Sequence, residues 1–240
     1  MKISVLIIAH NEEKYIAKCI KSILNQTKSP NEVVLLVHNS TDKTLEIAHN
    51  FSITIVPFNG PKGIINARLE GLNHVSGDVV LCVDGDSFAH NNWIEVMTAT
   101  LKNDKNVLVG SWVKLKGTIF GNIYNIFSRY GCFLKDQRVA YWIWGSSFAF
   151  WGKDKNFVRQ IIENSVFLSD KIHLFRNPED YWLALFMSTH GTIRVTNKTW
   201  IIAHTKDSSS LREILRRMES YKNRNIIRDY FNTNSGLLQL

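Results

Sequence analysis

Residues 77–87 read GDVVLCVDGDS: five consecutive apolar residues, Val79–Val83, stop on Asp84-Gly85-Asp86. An apolar run with no polar alternation is the pattern of a strand covered on both faces, as parallel sheets require. Toward the N-terminus the arrangement recurs. Ile3–Ala9 is a continuous apolar run, and Glu12–Gln26 follows with Ile16, Cys19, Ile20, Ile23 and Leu24 on one helical stripe. Val33–Val37 precedes a helix over Thr41–Asn50, with Ser40 or Thr41 available as its cap. Ile53–Pro57 precedes a helix over Gly63–Val75. Four strands spaced by helices predict βαβ units and an α/β, Rossmann-like, mostly parallel central sheet flanked by helices.

Beyond residue 90 the pattern is less regular. Trp93–Leu101 predicts a helix and Val107–Trp112 a strand, and residues 118–134 place Phe120, Tyr124, Phe127, Tyr130 and Leu134 at helical spacing. Tyr141–Trp151 is aromatic and strand-like, Pro178–His190 predicts a buried helix, and Ile193–Thr196 and Trp200–Ala203 predict short strands. A basic amphipathic helix over residues 209–231 closes the chain, with Leu211, Ile214, Leu215, Met218 and Tyr221 on its apolar face.

Composition narrows the class. The 240 residues are 45% hydrophobic, enough for a real core, which excludes a disordered or fibrous chain. The three cysteines, Cys19, Cys82 and Cys132, are odd in number and contain no CxxC pair, so neither a zinc knuckle nor a disulfide framework is expected. Cys19 and Cys82 read as buried thiols, and a reducing cytoplasm is the simplest setting. The opening MKISVLIIAHNEE has an apolar run too short for a signal peptide and no small-residue cleavage site. No stretch approaches the roughly 20 apolar residues of a transmembrane helix. The expected location is therefore the cytoplasm, with the C-terminal helix a candidate for contact with the inner face of the membrane. A formal net charge of +8 favours anionic partners.

The polar clusters fall where the strands end: His10-Asn11-Glu12, His38-Asn39-Ser40 and Asp84-Gly85-Asp86. In open α/β sheets ligands bind outside the carboxyl ends of the strands. Asp84 and Asp86, around a glycine that lets the chain turn, can converge on one hard divalent cation and leave positions for phosphate oxygens. The same triplet would also serve as an ordinary acidic turn. Asn177-Pro178-Glu179-Asp180 is a standard helix start, and it also puts two carboxylates where one can act as a general base. His204, at the end of Trp200–Ala203, is a structural histidine or a third metal ligand. Arg68 follows Lys62 and Gly63 at a helix start, a setting that suits a diphosphate. Tyr141, Trp142, Trp144 and Trp151, around Gly145-Ser146-Ser147, suit stacking on a sugar or base, or core packing.

Taken in order, these motifs are familiar. The chain resembles the family-2 glycosyltransferases with the GT-A fold: SVLIIAHNEEKYIAKCIKSILNQT (residues 4–27) is similar to their opening strand and helix, and VVLLVHNSTDKTLEIA (33–48) to a second unit usually written with DDGSTDGT. GPKGIINARLEGLNHVSGDVVLCVDGDS (60–87) resembles the segment that leads to their DxD, and Asn177–Gly191 their Glu-Asp helix. The resemblance covers residues 3–100 well, 140–204 loosely and the C-terminal helix not at all. It implies a GT-A-like domain over 1–205, with a nucleotide-binding half (1–100) and an acceptor and catalytic half (101–205). A basic amphipathic helical tail over 206–240 follows.

By the same resemblance, Asp180 with its neighbour Glu179 is the catalytic base. Ala9, Asn11, Glu12, Arg68 and Asp84 meet the nucleotide-sugar, and Asp86, Asp84 and His204 hold Mn²⁺ or Mg²⁺. His38 and Asn39, by their place at a strand end, and Trp144, from the aromatic cluster, are added to the nucleotide-sugar set. The implied reaction inverts configuration at the anomeric carbon and delivers a sugar to a glycan or lipid-linked acceptor. Val37-His38-Asn39 departs from the family's paired aspartates, which help read the base, and the Gln-x-x-Arg-Trp motif of processive synthases is absent, so single-sugar transfer is expected.

Two other classes compete. A nucleotidyltransferase would carry a glycine-rich basic loop after the first strand, where this chain has His10-Asn11-Glu12-Glu13. A degenerate sugar- or membrane-binding protein would have little reason to keep Asp84, Asp86, Glu179 and Asp180. No recognised nucleic-acid module accompanies the basic residues, so no nucleic-acid partner is expected.

Overall fold

The computed structural model describes residues 1–102, 105–116, 125, 143–174, 178–204 and 225–234. Among the described residues, eight strands form one sheet: β1 (Ile3–Ala9), β2 (Glu32–His38), β3 (Thr54–Phe58), β4 (Val79–Asp84), β5 (Ser87–Ala89), β6 (Asn106–Lys116), β7 (Ser147–Trp151) and β8 (Thr192–His204). Their order is β3-β2-β1-β4-β7-β6-β8-β5. The pairs β3–β2, β2–β1, β1–β4 and β6–β8 are parallel; β4–β7, β7–β6 and β8–β5 are antiparallel. The first four strands are those read from the sequence, each within a residue or two.

Continuous apolar runs make sense because both sheet faces are covered. Along β1, Ile3, Val5, Ile7 and Ala9 enter one core, while Leu6 and Ile8 enter the other. Side chains alternate across a strand, so a two-sided strand must be apolar at every position. Ser4 is the polar exception, and its hydroxyl accepts the Gly77 N–H and donates to the Glu32 carboxylate. One face is packed by α1 (Ile16–Leu24), through Ile16, Cys19, Ile20 and Ile23, and by α4 (Trp93–Leu101), through Trp93, Ile94, Met97 and Leu101. The short α2 (Thr44–Ala48) adds Ala48 to that side. The other face takes Ala67 and Leu72 of α3 (Ile64–Asn73), four apolar residues of α5 (Lys155–Lys171), and α6 (Glu179–Met187).

Several elements differ from the sequence reading. The two short strands expected near the end are one strand, β8. Its register with β6 jumps from Ser111–Thr196 to Trp112–Trp200, so residues 197–199 bulge out. Of the aromatic stretch, residues 141 and 142 lie outside the described residues, and among the rest Ser147–Trp151 is the strand. Helix α5 was not expected: Val158, Ile161, Ile162 and Leu168 are spaced for a helix, but charged and amide residues surround them. The N-cap of α2 is Lys43, not Ser40 or Thr41, and just before it Asp42 Oδ1 accepts the Thr44 N–H at 3.0 Å. Cys19 and Cys82 are buried free thiols, as expected. The helix expected over 118–134 lies outside the described residues apart from Asn125, as does Cys132.

Of the C-terminal tail, residues 225–234 are described and helical. Ile227 and Phe231 belong to the core on the α6 side; the Phe231 ring meets Phe186 edge-on at 5.2 Å, and Tyr230 meets Trp182 at 6.5 Å. The apolar side of this part is therefore spent on the domain. Among the described residues no helix is long and apolar enough to cross a membrane. Replacing Phe231 by Ala should lower unfolding stability by about 3 kcal/mol, the usual cost of emptying a buried aromatic site. Urea denaturation measures it; a change under about 0.5 kcal/mol would mean that the helix does not dock in solution.

Candidate active site

Because β1, β2 and β4 run parallel, their carboxyl ends open on one edge of the sheet, with Ala9 beside Val37 and Ile8 beside Asp84. The loops there are tied to one another. Asn11 and Asn39 adopt left-handed backbone, φ 54° and 46°, a conformation asparagine tolerates better than most residues. The Asn11 N–H donates to Ser40 Oγ at 3.0 Å, and its side-chain oxygen accepts the Thr41 N–H at 2.8 Å. The Glu12 N–H donates to Thr44 Oγ1 at 2.7 Å, and Asn39 Nδ2 to the Gly60 carbonyl at 2.9 Å. Ala9, Glu12 and His38 are buried; Asn11 and Asn39 are half-buried. The His38 ring stacks on Phe58 at 5.5 Å, and its Nε2 lies 3.0 Å from the Pro61 carbonyl oxygen.

The Asp84-Gly85-Asp86 turn packs against the end of β1. The Gly85 N–H donates to the Ile8 carbonyl at 2.8 Å, and a Cβ on Gly85 would lie 2.9 Å from that of Ala9, so only glycine fits without displacement. After the turn, β5 pairs with the end of β8, and the His204 N–H donates to the Asp86 carbonyl at 3.2 Å. This joins the two residues through the backbone. The imidazole lies between Tyr15, stacked at 4.6 Å, and Phe88 at 4.8 Å, and its buried Nε2 has no hydrogen-bond partner. Burial, then Lys116 and Lys18, holds this imidazole below its usual pKa, which favours the neutral ring.

On the other side of the cleft, α6 begins at Glu179. Its side chain meets Arg68 Nη1 at 2.5 Å, and Arg68 Nη2 lies 3.6 Å from Asp84 Oδ1. Arg68 also donates to the Gly145 carbonyl at 3.0 Å, and its guanidinium sits 5.4 Å from the Phe148 ring centroid. The Gly145 N–H in turn donates to Asp180 Oδ2 at 3.2 Å. Trp144, one residue earlier, is half-buried and packs partly on the core. Asp84, Glu179, Asp180 and Arg68, far apart in sequence, thus share one site, with Asp86 close enough to influence Asp84.

The sequence profile of glycosyl transferase family 2 matches residues 4–162. The chain belongs to this family. A Bacillus subtilis relative, probable glycosyltransferase YdaM, is 29% identical over 210 residues, 82% of this chain and 47% of its own length. Glycosyltransferase AglE of Haloferax volcanii is 34% identical over 119 residues, 47% of this chain and 39% of its own. The chain thus spans less than half the length of these curated relatives. Glucosyl-3-phosphoglycerate synthase of Mycobacterium tuberculosis, solved with Mn²⁺, uridine diphosphate and phosphoglyceric acid, superposes with a TM-score of 0.59 at 18% identity. That match covers 96% of this chain and 78% of the other. The fold is the GT-A type.

Tyr15, Phe88 and Phe148 pack around the candidate site residues and were not foreseen as their neighbours, whereas Gly145 reads from the sequence only as part of the aromatic segment. The aromatic residues look like ordinary strand and helix positions in the sequence, and no local signal distinguishes them. Among the described residues, no three His, Cys, Asp or Glu side chains come close enough to hold a metal by themselves.

The electrostatics are unbalanced. Asp84 keeps a third of its side chain exposed, yet its Oδ1 is buried without a hydrogen-bond partner. Burial, with Asp86 and Glu179 adding to it and Arg68 opposing, pushes its pKa up to about 7. A carboxyl protonated in the folded chain stabilises it at low pH and loses that contribution as pH rises through the folded value. Without added metal or nucleotide, Asp84→Asn should therefore melt increasingly above wild type between about pH 5 and pH 8. Scanning fluorimetry would show this; a difference independent of pH would refute the titration of Asp84 in this range.

Proposed function

We propose that this family-2 chain transfers a single sugar, with inversion, from a nucleotide-diphosphate sugar to an acceptor hydroxyl in the assembly of a glycan, polysaccharide or glycolipid. The observation that carries the reading is the convergence of the strand-end pair Asp84 and Asp86 with the helix-start pair Glu179 and Asp180. Arg68, 111 residues from Glu179, lies between them. One pair suits a cation and a diphosphate; the other suits proton removal from an acceptor.

In this reading the loops at Ala9, Asn11, Glu12, His38 and Asn39 form the nucleotide pocket, and Trp144 flanks the sugar. Asp180 accepts the proton of the acceptor hydroxyl as that oxygen attacks the anomeric carbon. The bond from the anomeric carbon to the diphosphate oxygen breaks on the opposite face, so configuration inverts. The hydrogen bond from Gly145 holds one Asp180 oxygen in place.

The residues fit a divalent cation. Three carboxylates, Asp84, Glu179 and Asp180, act on one buried guanidinium, Asp86 acts on Asp84, and both Asp84 Oδ1 and His204 Nε2 are buried without hydrogen-bond partners. Asp86 and Asp84 would share Mn²⁺ or Mg²⁺ with the donor's diphosphate, because these two and His204 do not by themselves gather into a three-ligand set. A bound cation would supply neutralisation of the charge that gathers on the departing diphosphate. The Mycobacterium tuberculosis structure, solved with Mn²⁺ and uridine diphosphate, supports the same use of this fold.

Thermal unfolding with nucleoside diphosphates and nucleotide-sugars, with and without Mn²⁺, tests the donor. A ligand at about 100 times its dissociation constant adds roughly 2.7 kcal/mol, a rise of very roughly 5–10 °C for a chain this size. The shift should need the metal and vanish in Asp86→Ala. Asp180→Asn should keep the shift while losing about 10²–10⁴-fold in transfer. Undiminished transfer in Asp180→Asn would remove it as the base.

A further inference from the structure

Arg68 is 2% exposed, the only arginine among the described buried residues. A guanidinium sealed from water needs compensating partners, and here they come from three separate segments. Nη1 meets Glu179 at the start of α6, Nη2 meets the Gly145 carbonyl, and Asp84 lies 3.6 Å away at the end of β4. The Phe148 ring flanks the group, and the enclosed Nε has no hydrogen-bond partner. Little of the side chain remains to meet a ligand.

Two of these contacts lead to the same neighbour. Glu179 precedes Asp180 on the first turn of α6. Gly145, whose carbonyl accepts from Arg68, donates its own N–H to Asp180 Oδ2 at 3.2 Å. The fit is close: a Cβ on Gly145 would sit 3.4 Å from that of Asp180 and 3.6 Å from Arg68 Nη1. One guanidinium therefore grips both the residue before Asp180 and the residue that hydrogen-bonds to it.

Resting on the transferase reading above, we infer that Arg68 is a positioning residue for Asp180 and does not contact the nucleotide. Its forked donors fix the first turn of α6 through Glu179 and the 144–146 segment through Gly145. Glu179 serves as the counter-ion of Arg68, and Asp180 alone takes the proton. A lysine offers one point charge where the site uses two directed N–H groups, so it replaces the arginine only in part.

The test uses the full chain and compares Arg68→Lys, Arg68→Met, Glu179→Gln and Asp180→Asn. For each, melting temperature, affinity for the nucleoside diphosphate with Mn²⁺, and kcat and KM for transfer are measured. Arg68→Lys should bind the diphosphate within about threefold of wild type yet lose about 10- to 100-fold in kcat, and Arg68→Met should lose more. Glu179→Gln keeps an oxygen for Arg68 and should lose less than about tenfold, far less than Asp180→Asn. The Lys and Gln variants carry the test if Arg68→Met does not fold.

Weakened diphosphate binding in Arg68→Lys, with kcat at saturating donor preserved, would make Arg68 a nucleotide contact and overturn the inference. So would Glu179→Gln losing as much kcat as Asp180→Asn, which would make Glu179 the base. A wild-type chain that binds the diphosphate but transfers to no acceptor would sink the transferase reading instead, and the inference with it. The variant pattern and the wild-type result therefore separate the two failures.

Discussion

A positive charge buried away from water must be balanced where it lies, and the geometry around Arg68 follows from that requirement. Leaving such a charge unpaired would cost several kcal/mol, so its partners are constrained to stay. Helix α3 supplies the charge, β4 and α6 supply carboxylates, and the segment at Gly145 supplies a carbonyl. These parts come from both halves of the chain. The ion pair is the polar counterpart of the apolar packing that joins the halves elsewhere.

The helix that carries Glu179 and Asp180 is otherwise buried: Tyr181 through Met187 all lie in the core. A helix that is apolar on every side can show acidic groups only at an end. Its first turn is also where partial positive charge from the backbone favours carboxylates. Packing and electrostatics thus agree on where the acids emerge, and the sheet edge formed by β1, β2 and β4 faces them. The loops at the ends of β1 and β2 are held by side-chain hydrogen bonds between Asn11, Ser40 and Thr41 as well as by packing.

How much of this was legible in the sequence depends on what holds each part. Strands β1 to β4 announced themselves because a strand covered on both faces must be apolar throughout. Helix α5 did not, because only one of its sides is apolar and Glu163, Asn164 and Asp170 dilute the stripe. The gap between Thr196 and Trp200 looked like a loop between two strands, when it is a bulge within β8. At the site, the acidic pairs stood out by residue type and by their place at element ends. Arg68 reads from the sequence as a nucleotide contact. Its burial and its partners, Gly145 and Glu179, are not legible there, because those partners are distant in the chain and no local pattern encodes the pairing. The packing of Tyr15 and Phe88 around His204 is illegible for the same reason.

The order of the strands has one more consequence. Among the described residues, the sheet ends on β3 at one side and on β5 at the other. An outermost strand offers unpaired backbone groups to any extended chain that approaches, which is how sheets stack into aggregates. Here β5 is only three residues long, and β3 carries Pro57, which has no N–H to donate. The long apolar strands that would template such growth best, β1, β4 and β7, lie inside the sheet with neighbours on both sides. The sequence that builds a two-sided core thereby keeps its stickiest backbone out of reach.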